Sequence, residues 1–91
     1  MYKMTKDSLY EEISNLLINK FGVDESEISL ISTLGDDLNL GPAEIEELIL
    51  DICEKHNTEH EKVIDSLDHD ELEEVTVSDL VDTLADILKL D

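Results

Sequence analysis

Leu9, Ile13, Leu16, Leu17 and Phe21 recur at helical spacing and place an apolar stripe on one side of a helix over about residues 7–20. Two caps compete for its start: a Ser8–Glu11 capping box, or Thr5 and Asp7 slightly earlier. Gly22 ends it. Ile45, Leu48, Ile49 and Ile52 make the buried face of a second helix that ends near residues 55–57. Pro42 suits its first turn, where a missing N–H needs no intrahelical acceptor, and Gly41 takes the cap position. Glu44, Glu46 and Glu47 follow at the positive end of the helix dipole. Val77, Leu80, Val81, Leu84, Ile87 and Leu88 form the last stripe, with Thr76 or Ser78 as N-cap and Asp79 in the first turn.

Two stretches lack such a stripe. Residues 22–40 hold β-branched residues and glycines without a sustained helical period, which predicts a long ordered loop tethered by Val23, Ile28 and Leu34. Residues 58–74 carry Val63, Ile64, Leu67 and Leu72, consistent with one or two short helical turns, the second capped by Asp68 and Glu71. The pattern therefore predicts an all-α chain of three principal helices and one minor helix, in a single domain over residues 1–91. Leu50 falls off the second stripe, among Glu46, Glu47, Asp51 and Glu54, as a candidate apolar contact within an acidic surface.

Charge narrows the partners. Six lysines, no arginine and 25 carboxylates give a net charge of −19, which repels phosphate backbones and anionic lipid headgroups. Neither nucleic acid nor a membrane is expected as partner; a basic protein surface is, and salt should stabilise the fold. Hydrophobic residues at 41% of the chain, periodically placed, argue for a packed core rather than disorder. Cys53 has no second cysteine to pair with, the start "MYKMTKDSLYEE" lacks the apolar run of a signal peptide, and no stretch is long enough to span a bilayer. A reducing, cytoplasmic setting is the simplest expectation, with the chain a monomer.

Candidate chemistry is sparse. Cys53, His56 and His60, with Glu59 as a fourth ligand, have types and spacing that suit zinc on a continuous helix. Asn57 and Thr58 interrupt that helix, so no metal site is expected. Neither "DDLNLG" nor "DHDELEE" has the ligand pattern of a calcium loop. Pairs such as Asp36–Asp37 read as solvated acids rather than an acid–base couple, and no enzyme activity is expected.

The stretches "FGVDESEIS", "LGDDLNL", "EELILDICEKHN" and "TVSDLVDTLADIL" resemble the acyl carrier protein family over roughly residues 9–88, with 58–74 longer than usual. The resemblance implies an acidic four-helix bundle with a long loop after the first helix and a short third helix. It also implies an Asp-Ser-Leu motif opening the second helix, whose serine carries 4′-phosphopantetheine. An ungapped overlay puts Gly41, Pro42 and Ala43 on that triplet. Proline has no hydroxyl, so no phosphodiester can form at the aligned position, and no cofactor is expected there. Glu46 falls where the family commonly has an apolar docking residue, while Glu44, Glu47 and Leu50 keep the acidic-plus-apolar character of the recognition helix; together with Asp51 and Glu54 they are the residues expected to dock. These imply a non-catalytic module that binds a basic surface, an acyl-processing enzyme being one candidate. The alternative is a working acyl or peptidyl carrier of fatty acid or secondary-metabolite biosynthesis, carrying 4′-phosphopantetheine on Ser66 of the second "DSLD" at residues 65–68.

Overall fold

The computed structural model describes residues 4–67 and 71–89. Four helices follow one another: α1 (Lys6–Asn19), α2 (Pro42–Lys55), α3 (His60–Leu67) and α4 (Val77–Ile87), with 3-10 turns at Glu25–Glu27 and Leu72–Glu74. This is the all-α, acyl-carrier-protein-like bundle expected: three long helices, a short third one and a long loop after the first. Among the described residues none of the helices is long and apolar enough to cross a membrane.

Local chemistry sets the helix boundaries. Of the two candidate caps for α1, Thr5 is the one used, its Oγ1 accepting from the Ser8 amide at 3.1 Å. The chain leaves α1 through Gly22 at φ 69°, a left-handed conformation that favours glycine. At α4 the choice falls on Thr76. Its Oγ1 accepts from the Asp79 amide at 3.0 Å while Asp79 Oδ2 accepts from the Thr76 amide at 3.3 Å, a reciprocal capping box. Asn57, at φ 54°, separates α2 from α3. Glu71 flanks the second 3-10 turn without a side-chain cap bond, and Asp68, the other expected cap, lies outside the described residues.

α1 packs against α2 and α4, and α3 closes the gap between α2 and α4. Their buried faces form one core: Leu9, Ile13 and Leu17 from α1, Ile45, Leu48, Ile49 and Ile52 from α2, Val63 and Leu67 from α3, and Leu80, Val81 and Leu84 from α4. Leu16, Phe21, Ile87 and Leu88, read as stripe residues, and Ile64 and Leu72 from the stretch without a stripe, are only half-buried against this core.

The loop contributes more than expected. Val23 and Leu34 are buried and Ile28 half-buried, as foreseen, and Leu38 and Leu40 join them in the core. Residues 30–35 also run antiparallel to residues 73–78 around a bridge between Thr33 and Thr76. Leu34 and Gly35 donate to the Val75 and Glu73 carbonyls at 2.8 and 2.9 Å, and Val77 and Ser78 donate to the Ser32 and Leu30 carbonyls at 3.0 and 2.9 Å. Backbone groups that a loop would leave to water are thereby paired. The pairing brings the loop to the start of α4.

Candidate functional site

The start of α2 is built from backbone geometry and one acid. Asn39, at φ 63°, turns the loop, buried Leu40 anchors it, and extended Gly41 takes the N-cap position at φ −82°, ψ 168°. Gly41 has no side chain to cap with, so the favourable contact runs the other way: its amide donates to Glu44 Oε1 at 3.0 Å. Pro42 occupies the first helical position and is exposed, as are Ala43 and Glu44. The turn preceding this segment is closed by Thr33 and Asp37, whose amides each donate to the other's side chain, at 2.8 and 3.1 Å. Asp37 therefore holds a turn, and Asp36 beside it is exposed.

Along α2, Glu46, Glu47 and Glu54 are exposed, Asp51 is half-buried and Leu50 is 38% exposed. The predicted acidic and apolar face is thus on the surface, but it is not uniformly open. Lys20, just past the end of α1, bonds Asp51 and lies 3.4 Å from Glu47. The Asp51 hydrogen bond is the main reason that the Lys20 ammonium is held above its ordinary range, against an opposing desolvation. Two acids of the expected binding face are accordingly already engaged by the chain's own cation. Glu44, Leu50 and Glu54 present the remainder.

The other end of α2 is tied to α1 in the same way. Glu12 reaches His56 Nε2 at 2.7 Å and Lys55 Nζ at 3.5 Å. This scatters the candidate zinc ligands: His56 is turned to Glu12, Cys53 is buried in the core, and His60 begins the next helix. Burial pushes the Cys53 thiol up from its ordinary value, away from the thiolate a metal needs. Among the described residues no group of three or more His, Cys, Asp or Glu side chains is arranged to hold a metal ion. Ser66 is exposed as the penultimate residue of α3, at the closing end of a helix rather than the opening end.

Sequence reasoning missed the Lys20 and Glu12 bridges. Each joins residues of different helices, and hydrophobic periodicity carries no signal for which lysine meets which acid.

No family model matches the chain. An acyl carrier protein of Petrotoga mobilis is 28% identical to it over 89 residues, covering 97% of this chain and 96% of the relative.

Proposed function

The chain is acyl-carrier-protein-like along nearly its whole length, and on that premise we propose that it works as a non-catalytic, unmodified binding module whose acidic α2 face docks on a basic surface of a partner protein. The observation that carries the reading is Pro42 as the first residue of α2. In the aligned family pattern this helix start bears the serine hydroxyl that takes 4′-phosphopantetheine. A pyrrolidine ring there keeps the helix start favourable and removes the only nucleophile the position has.

Docking would fall to Glu44, Glu47, Leu50, Asp51 and Glu54, with Leu50 as the apolar contact inside an acidic rim. An acyl-processing enzyme is the natural class of partner, because carrier proteins are read by such enzymes through this helix. Lys20 would have to yield Asp51 and Glu47, or share them, when a partner's cation arrives. The competing reading, a carrier modified at Ser66, is disfavoured by the position of that serine near the C-terminal end of an eight-residue helix.

Intact mass after incubation with coenzyme A and a broad-specificity phosphopantetheinyl transferase tests the reading, with an authentic carrier modified alongside. An unchanged mass is expected. A phosphopantetheine adduct would overturn the proposal, and its loss in Ser66→Ala would assign the site.

A further inference from the structure

Leu30 and Ile31 are 51% and 84% exposed, neighbours in sequence on a chain whose other large apolar side chains, Leu50 apart, are buried or half-buried among the described residues. A single exposed leucine needs no explanation, but an exposed adjacent pair beside a groove does. The pair does not sit on a loose loop. Ser32, 6% exposed, donates its Oγ–H to the Glu27 carbonyl at 2.8 Å and accepts from the Ser29 amide at 3.1 Å. The Leu30 carbonyl accepts from the Ser78 amide at 2.9 Å, which pins the turn to the first turn of α4. Two apolar side chains are thus held out to solvent by a hydrogen-bonded frame, so their display costs little further ordering on contact.

Beside them lies a groove of about 630 Å³ between α1, α4 and this turn, lined by Lys6, Tyr10, Leu30, Ile31, Ser78 and Val81 among others. Tyr10 forms a wall and is anchored by its hydroxyl, which donates to the Ile28 carbonyl at 3.4 Å. Acids outnumber the one cation in its lining. Asp7 and Asp82 line the groove, where Lys6 is taken up by Asp82 at 3.3 Å, and Glu25 and Glu27, outside its lining, are exposed on the 3-10 turn that precedes residues 29–31 in the chain.

We propose that this groove is a second docking surface, separate from α2, that takes an apolar segment of a partner protein flanked by lysine or arginine. Charge decides the occupant. A second copy of a chain at −19 would bring its own carboxylates against these, and an anionic lipid or nucleic acid would be repelled. A segment combining apolar side chains with basic neighbours satisfies both the Leu30–Ile31 pair and the net negative charge of the lining and of the chain around it. No residue of α2 lines the groove, so the surface stands whether or not α2 docks on anything.

The test is an NMR titration of the isotopically labelled full chain at about 0.15 M salt. The probe is an amphipathic peptide of leucine and lysine, about 15 residues long and so able to form a helix. A matched peptide with serine in place of leucine is the control. Expected are amide shifts centred on residues 29–32, 6–10 and 78–82 with the leucine peptide, much weaker binding of the control, and an affinity about tenfold lower for Leu30→Ser/Ile31→Ser, the size of an interface anchor. Ile31→Ser alone, at the most exposed position, gives the same direction of change should the double variant melt early. Shifts centred on α2, equal response to both peptides, unchanged affinity in the variants, or concentration-dependent self-association through the patch would each overturn the proposal.

Discussion

A β-carbon at position 35 would stand 2.2 Å from Glu73 Cβ and 2.8 Å from its Cα, closer than any real pair of carbons without a covalent link tolerates. The Gly35 amide meanwhile donates to the Glu73 carbonyl at 2.9 Å, so the two backbones cannot separate without losing a bond. Gly35→Ala is therefore expected to cost about 2 kcal/mol, in the range of overpacked sites, and to lower the melting temperature by roughly 10 °C. Thermal unfolding followed by circular dichroism reads this directly, and a loss under a few degrees would mean that the contact relaxes easily. Asn39 and Asn57 illustrate a milder case: both take left-handed conformations, at φ 63° and 54°, which asparagine tolerates better than most side chains. Pro42 belongs at this scale too. Its suitability for a first helical turn was legible from the residue type alone, because the ring's fixed φ and missing donor are properties of proline rather than of its surroundings.

Among the elements, α4 opens on a reciprocal cap. Thr76 closes both bonds with Asp79 and also faces Thr33 in the bridge, so truncating its side chain removes the cap while leaving the backbone pairing possible. Thr76→Ala should cost about 1 kcal/mol in urea-induced unfolding, and Thr76→Ser should restore most of it. Equal losses in both variants would show that the methyl group's packing, not the hydroxyl, is what matters. The three long helices and the start of α2 were legible because each has an apolar stripe that repeats within the element, bounded by a cap or a glycine. The antiparallel run between residues 30–35 and 73–78 was not, because its bonds are made by backbone atoms that every sequence supplies, and the short alternation Val75-Thr76-Val77-Ser78 merges with the cap and first turn of α4. The same limit applied to the candidate site. Glu44, Glu47, Leu50, Asp51 and Glu54 could be placed on one helix from spacing, but the engagement of Asp51 and Glu47 by Lys20 depends on how α1 and α2 pack.

For the molecule as a whole, charge outweighs pairing. Six lysines face 25 carboxylates, so the surface ion pairs, each worth little in water, cannot offset the repulsion among the remaining acids. Raising NaCl from about 0.01 M to about 1 M shortens the screening length from roughly 30 Å to roughly 3 Å. The melting temperature is expected to rise by about 5 °C or more over that interval, since screening relieves more repulsion than attraction. A melting temperature that falls with salt would mean that the Lys20, Lys6 and Glu12 bridges dominate after all. The antiparallel run has a kinetic side. Neighbouring helices can find one another while the chain is still growing more compact, but residues 30–35 and 73–78 meet only after everything between them has been gathered in, against the entropy of closing so wide a loop. This chain should therefore fold more slowly than a bundle held by neighbouring helices alone, and the Leu34, Gly35 and Val77 amides should be among the last to exchange with deuterium, giving up their protons only when the whole structure opens.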